Sequence, residues 1–255
     1  MSTELCIYCL RASVEAPLEH VIPEVLGCPE AAILRSGEMC KECNNGLAHL
    51  DVALADSFDF ARFFVNQPSK KGQGPSVTGR SNLLATVRDG EPVIQVNLGP
   101  GDVKLPDGRF LKAPTNSTHS VKAQMKQIGA QVEVHFEAQA FQNPKFSRAA
   151  HKVAIGVIAA TLGREAALSH SLNPAREFVL SGAGPKRSVL CRIPPGWRYF
   201  NTVWPPYTSE DGYCVVVTLS GIELVVDCTP NQTSITKLLK LIPIGNPKAE
   251  WVVVK

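Results

Sequence analysis

Apolar positions along the chain recur with two different periods, and the longer period predicts helices. Between residues 46 and 64 an apolar stripe repeats every three or four positions, through Leu47, Leu50, Leu54, Phe58 and Ala61. A second stripe predicts a helix from about residue 146 to residue 168, through Ala150, Val153, Val157, Ala160 and Leu168. A short third helix is predicted to follow, because Asn173 supplies an N-cap and Pro174 suits the first helical position.

Alternation with a period of two predicts strands in much of the remaining chain. Such segments occupy residues 83–87, 93–98, 131–141, 189–193, 214–219 and 222–226. Asp89-Gly90 and Ser220-Gly221 are hairpin turn sequences between neighbouring segments. The pattern therefore predicts an α+β fold whose strands pair antiparallel.

Composition narrows the class of protein and suggests its compartment. The 255 residues are 44% hydrophobic and 19% charged, which is typical of a soluble globular protein. The N-terminal residues have neither the basic segment nor the apolar segment of a signal peptide. The longest apolar run (residues 153–163) is too short to span a membrane. We therefore expect a cytoplasmic protein with no membrane partner. The Gly- and Pro-rich residues 67–75 are predicted to link a module at 1–66 to a second domain at 76–255.

Charge is distributed unevenly between these two parts. Residues 1–66 contain four Lys/Arg against ten Asp/Glu, a net charge of −6, whereas residues 67–255 contain 22 against 13, a net charge of +9. A cation-collecting module joined to a basic body would suit a protein that binds a polyanion. A well-solvated surface explains the same numbers.

Four of the eight cysteines form two Cys-x-x-Cys pairs, Cys6 with Cys9 and Cys40 with Cys43. Two such pairs predict a structural zinc site with four thiolate ligands. The 30 residues between the pairs exceed the usual zinc-ribbon spacing, so further structure is expected inside the loop that the metal closes. The remaining cysteines (Cys28, Cys191, Cys214 and Cys228) are all interpreted as buried free thiols.

The loop closed by the cysteines contains Glu19-His20-Val-Ile-Pro23, and Asn44 follows its last cysteine. With the two cysteine pairs, this motif resembles the HNH endonucleases, in the subgroup whose ββα-metal fold is tied by zinc. The resemblance covers about the first quarter of the chain. It implies that His20 is the general base and that Glu19 and Asn44 hold a catalytic Mg²⁺ or Mn²⁺ ion. It also implies that the chain hydrolyses phosphodiester bonds in DNA, with RNA an open alternative. Asn44 is expected at or near the N-cap of the helix.

The sequence departs from the HNH pattern at one position. In that family, an Asn shortly before the second cysteine pair normally fixes the loop that orients the His, but residues 29–39 contain no Asn. The alternative is therefore a catalytically inactive, zinc-stapled module that binds nucleic acid or protein. His49 is a further candidate metal ligand, although a surface histidine is the preferred interpretation. Arg11, Lys41 and Arg62 are candidate phosphate contacts for a nucleic-acid partner.

Overall fold

The computed structural model describes residues 4–13, 18–58, 61–62, 141, 143–194, 198–241 and 251–254, and strand backbones between residues 77 and 136. These residues form two compact units, the first comprising 1–58 with 141–255 and the second 59–140. The units thus divide at different positions from the predicted boundary between residues 66 and 76. The predicted linker, residues 67–75, lies outside the described residues.

The strands and helices alternate irregularly along the chain. They are β1 (Glu4–Leu5), β2 (Ala12–Ser13), β3 (Glu19–His20), β4 (Ile33–Leu34), α1 (Lys41–Ser57), β5 (Val77–Thr78), β6 (Leu83–Arg88), β7 (Glu91–Val96), β8 (Val103–Lys104), β9 (Phe110–Leu111), β10 (Ala123–Ile128), β11 (Gln131–Phe136), α2 (Phe146–Leu162), α3 (Arg164–Ala167), α4 (Asn173–Ser181), β12 (Val189–Arg192), β13 (Thr202–Val203), β14 (Tyr207–Ser209), β15 (Gly212–Leu219), β16 (Ile222–Asp227), α5 (Thr233–Leu241) and β17 (Val252–Val254). Every strand pair among the described residues is antiparallel. The prediction of an α+β fold with antiparallel sheets is confirmed.

The first unit contains a C-terminal sheet in the strand order β13-β15-β16-β12-β17, with β14 also paired to β15. Its central hairpin places Val215 opposite Val226 and Val217 opposite Leu224. These four side chains are buried in the main core of the unit. On the opposite face, Cys214 and Val225 pack with Leu190 of β12 and Ile235 of α5 in a smaller cluster. Helices therefore cover both faces of this sheet.

Helix α2 packs both against α1 and against the central hairpin of that sheet. It is apolar on nearly all sides, and most of its residues are buried, which is typical of a helix inside a domain. The N-terminal cysteines, α1, α2 and the sheet contribute to a single hydrophobic core. The N-terminal segment therefore obtains its core from residues beyond 140, rather than depending chiefly on a metal as a small isolated module would.

The third predicted helix forms as α4, but Leu172 is its N-cap and Asn173 is its first residue. Two other predicted helix boundaries are wrong for local reasons. Helix α1 begins at Lys41 rather than near residue 46, because the Cys40 side chain caps it by accepting a hydrogen bond from the Cys43 amide. Asn44 is consequently a residue of the first turn and not the N-cap. The helix predicted over 146–168 breaks at Gly163, whose φ of 90° is unfavourable for other residues, and α3 follows as a separate turn.

Of the strands in the second unit, β6, β7 and β11 correspond to predicted period-two segments, whereas β10 was not predicted. The ends of two predicted segments, residues 97–98 and 137–140, lie outside the described residues. Strand β6 pairs with β7 through residues 83–88 and 91–96, and β10 pairs with β11 through residues 123–128 and 131–136. Strand β5 adds to the first hairpin, and β8 pairs with β9.

Candidate functional site

The four cysteines of the two Cys-x-x-Cys pairs lie together, with all of their Sγ atoms within 4.8 Å of one another. Cys9 Sγ and Cys40 Sγ lie 3.7 Å apart. Cys6, Cys40 and Cys43 are buried and Cys9 is half-buried. Four sulfur atoms at this separation are compatible with a tetrahedral zinc site of the structural type. Among the described residues, no other group of three His, Cys, Asp or Glu side chains brings its ligand atoms this close together.

The local backbone supports negative charge on the cysteine sulfurs. The Cys40 amide donates to Cys6 Sγ at 3.4 Å, and the Cys43 amide donates to Cys40 Sγ at 3.4 Å. A hydrogen bond from the Cys43 thiol is the main cause that lowers the pKa of Cys6 to about 4, and burial raises the pKa of Cys40 to about 11. One thiolate is therefore stabilised by its neighbours, as metal ligation requires.

Two arginines from the later helices hold the cysteine turns in place. Arg176 of α4 is 3% exposed, and its Nε donates to the Ile7 carbonyl at 2.8 Å. Arg164 of α3 donates to the Leu5 carbonyl at 2.9 Å and also to the Gly37 carbonyl. Sequence reasoning missed both residues, because each acts through backbone carbonyls more than 120 positions away.

Glu19 and His20 form strand β3, where Glu19 pairs with Leu34 and His20 with Ile33 of β4. Both side chains are half-buried, so they remain accessible to solvent. The connection from β3 to β4 is fastened to the C-terminal sheet by Asn201, whose Nδ2 donates to the carbonyls of Leu26 and Gly27. The Asn201 Oδ1 accepts from the Ser220 amide at 2.6 Å. This asparagine therefore restrains the loop that follows His20.

A buried lysine connects Glu19 to helix α1. Lys152 of α2 is 2% exposed, and its Nζ lies 2.5 Å from Asp51 Oδ2 and 3.6 Å from Glu19 Oε1. The Tyr8 hydroxyl, next to the first cysteine turn, donates to the Lys152 carbonyl at 2.9 Å. Burial raises the pKa of Asp51 and the charge of Lys152 opposes that rise. Burial also raises the pKa of Tyr8, so its hydroxyl stays protonated and can donate.

Asn44 and Asp51 lie on the same side of α1, because seven residues correspond to nearly two complete helical turns. Both are half-buried, and Ala48 between them is exposed. Since Lys152 contacts both Asp51 and Glu19, the Glu19 carboxylate lies near Asp51, which is about 10 Å along the helix axis from Asn44. The seven-residue spacing between Asn44 and Asp51 is the sequence feature from which Asp51 could have been identified. A lysine immediately before the longest apolar stretch, within a helix that is otherwise buried, is the corresponding signal for Lys152.

The donor atoms of Glu19 and Asn44 fit a hard divalent cation in their chemistry. A carboxylate and an amide oxygen are the ligand types that Mg²⁺ and Mn²⁺ prefer, and two protein ligands leave further positions to water. The Lys152 ammonium group, 3.6 Å from Glu19 Oε1, already places one positive charge beside the carboxylate that would bind the cation.

The remaining candidate residues are placed as follows. His49 is exposed on α1, where its Nδ1 lies 2.9 Å from the Gly46 carbonyl oxygen. Arg11 and Lys41 are exposed beside the cysteine turns, whereas Arg62 is only 6% exposed. Cys28 stands apart from the quartet and donates to the Ala32 carbonyl at 3.1 Å. Burial raises the pKa of Cys191, Cys214 and Cys228 to about 12, which fits unreactive thiols.

Comparison with known proteins gives no relative: no protein family, curated protein or solved structure matches the chain. Within the described residues, no helix has both the length and the apolar character needed to cross a membrane.

Proposed function

We propose that this chain is a metal-dependent DNA endonuclease of the HNH type. The observation that carries the proposal is the placement of the Glu19-His20 strand between the two halves of the cysteine quartet, with Asn44 in the first turn of the helix that follows. The order of strand β3, strand β4 and helix α1, closed by the cysteine quartet, gives further support. It agrees with a ββα arrangement stapled by zinc.

His20 acts in this proposal as the general base. It is half-buried on β3, next to Glu19 in the chain, and part of its surface is open to solvent. His20 takes a proton from water, the hydroxide oxygen forms a bond to phosphorus, and the bond from phosphorus to the 3′ oxygen breaks. The leaving oxygen takes a proton from solvent, so the products carry 5′-phosphate and 3′-hydroxyl ends.

Glu19 and Asn44 are the residues that would hold a Mg²⁺ or Mn²⁺ ion, through one carboxylate and one amide oxygen. When bound there, the cation supplies neutralisation of the negative charge at the scissile phosphate and the leaving oxygen. A zinc ion on the quartet would fix the turn between β1 and β2 to the start of α1, and Asn201 restrains the loop after His20. Asn201 would thereby take over the restraint that the missing Asn of residues 29–39 normally provides.

DNA binding in this proposal rests on the basic part of the chain. Residues 67–255 have a net charge of +9, which favours contacts to phosphates along a duplex. Such binding should weaken steeply between low and physiological salt concentrations, because each neutralised phosphate releases counterions.

The test is cleavage of supercoiled plasmid by the full chain in Mg²⁺ or Mn²⁺, with and without a chelator. His20→Ala should slow cleavage about 100-fold or more, whereas His170→Ala, at an exposed histidine outside the site, should match the wild type. Zinc content must be equal in the three proteins. Cleavage that persists undiminished in His20→Ala would refute the assignment of the base.

One observation favours the alternative of a catalytically inactive binding module. The Glu19 carboxylate already has a cationic neighbour in Lys152, which could satisfy it permanently in a protein that has lost its catalytic ion. In that case wild-type protein would retain DNA with the expected salt dependence and leave supercoiled plasmid intact in both metals.

A further inference from the structure

Lys152 is a buried cation placed between the two elements that carry the proposed metal ligands. Its Nζ lies 2.6 and 2.5 Å from the two Asp51 oxygens on α1, and 3.6 Å from Glu19 Oε1 on β3. No step of the proposed hydrolysis uses this residue.

The burial of Lys152 makes its charge significant. The side chain is 2% exposed, and an ammonium group so far from water is stabilised only by anionic partners. Glu19 and Asp51 supply two negative charges against one positive, so the three groups together have a net charge of −1. Asp51 makes the closer contact, and Glu19 therefore shares a cation that is held mainly by Asp51.

We propose that Lys152 is a positioning residue: its ammonium group holds the Glu19 carboxylate in the metal-free protein and gives it up when a divalent cation binds there. This inference rests on the proposed function, in which Glu19 is a metal ligand. A positive charge within 4 Å of a ligand opposes the binding of a second cation. Lys152 should therefore weaken cation binding at Glu19, while Asp51 should strengthen it by drawing the ammonium group away.

These roles give opposite signs for two substitutions, which a purely structural ion pair would not. Lys152→Met keeps most of the side-chain volume and removes the charge, so the affinity for Mn²⁺ should increase about tenfold or more. In Asp51→Asn, Glu19 is the remaining anionic partner of Lys152, so the ammonium group stays at Glu19 and the affinity for Mn²⁺ should decrease. A pair that served only to hold α1 and α2 together would give weaker or unchanged binding in both variants.

The experiment titrates the zinc-loaded full chain with Mn²⁺ alone and measures free Mn²⁺ by electron paramagnetic resonance. Glu19→Gln identifies binding at the proposed site, since it should lose that binding. Arg192→Met is the control, because it breaks an ion pair of the same length with Glu223, 2.5 Å apart, at a more exposed position in the C-terminal sheet. This control should bind Mn²⁺ as the wild type does.

Tighter binding in Lys152→Met together with weaker binding in Asp51→Asn supports the proposal. Equal or weaker binding in Lys152→Met overturns it, as does a Glu19→Gln titration identical to that of the wild type. If Lys152→Met does not fold, Asp51→Asn decides, and unchanged affinity there also overturns the proposal. Mn²⁺ binding is measured without DNA, so the two proposals can fail separately. If the wild-type protein cleaves no plasmid, the nuclease function is refuted. The inference about Lys152 is still decided by the Mn²⁺ titrations.

Discussion

Gly156 of α2 lies directly against Val21, the residue that follows His20. A Cβ atom added to Gly156 would lie 2.8 Å from Val21 Cγ1 and 3.0 Å from Cγ2. Gly156 follows Lys152 by one helical turn, so the two residues face the same segment. Helix α2 thus supports the strand of His20 by close packing at one position and by charge at the other.

Gly156→Ala should lower the free energy of unfolding by about 1 kcal/mol or more, because overpacking costs about 1–3 kcal/mol and exceeds the gain in helix propensity. It should also reduce plasmid cleavage by displacing Val21. Gly46→Ala is the matched control, since a Cβ at this helical glycine would meet nothing within 4 Å. Denaturant unfolding should show equal or higher stability for that control. Unchanged stability in Gly156→Ala would mean that Val21 moves aside freely.

Cys40→Ser should reduce bound zinc below one ion per chain and destabilise the first unit by several kcal/mol, roughly 10 °C in melting temperature. The variant should keep part of its fold, because the C-terminal sheet and α2 share the core. Zinc can be measured with a colorimetric chelator. Cys28→Ser, at a half-buried cysteine outside the quartet, should keep its zinc. Equal zinc in both variants would contradict the quartet as a metal site.

His151 should make the stability of the protein depend on pH. It is fully buried, and burial followed by the nearby charge of Arg187 lowers the pKa of His151 to about 3. Because the unfolded chain takes up this proton near pH 6.5 and the folded chain does not until about pH 3, stability falls as pH decreases between these values.

The loss attributable to His151 is about 2 kcal/mol between pH 6.5 and pH 5. His151→Leu should remove this part of the pH dependence, as measured by denaturant unfolding at several pH values. His170→Ala, at an exposed histidine, should retain the wild-type slope. An unchanged slope in His151→Leu would show that the imidazole takes up its proton at the same pH in the folded and the unfolded chain.

Asn201→Ala should lower the kcat of plasmid cleavage about tenfold while leaving zinc content and KM near their wild-type values. The substitution leaves the Leu26 and Gly27 carbonyls and the Ser220 amide without this partner. A freed loop would no longer hold His20 in one orientation, which affects turnover more than substrate binding. Asn231→Ala, at an exposed position, is the control. Wild-type kcat in Asn201→Ala would show that the loop needs no external restraint.

The parts of the fold that depend on local spacing were predictable. The cysteine quartet follows from two short motifs, and the antiparallel hairpins follow from alternation and turn residues. The start of α1 was placed too late because hydrophobic periodicity does not show that a cysteine side chain can cap a helix. The break at Gly163 was missed because an isolated glycine in an apolar stretch is compatible with a continuous helix.

The parts that depend on distant residues were not predictable. Lys152 meets Glu19 and Asp51 only because α2 returns to pack on α1 after the second unit. Arg176 and Asn201 act on backbone carbonyls about 170 positions away, where no sequence pattern marks the acceptor. The composition of residues 67–75 indicated a boundary, but it gave no sign that the chain would re-enter the first unit at residue 141.

The division of the first unit has a consequence for synthesis on the ribosome. The rings of Phe58 and Phe146 lie 6.3 Å apart, although 88 positions separate the two residues. At about 5–20 residues per second, roughly 4–18 s pass between the emergence of α1 and that of the first turn of α2. Throughout this interval the nascent chain carries the apolar side of α1 uncovered. Chaperones that hold such segments would therefore be expected to decide how much of the chain reaches its folded state.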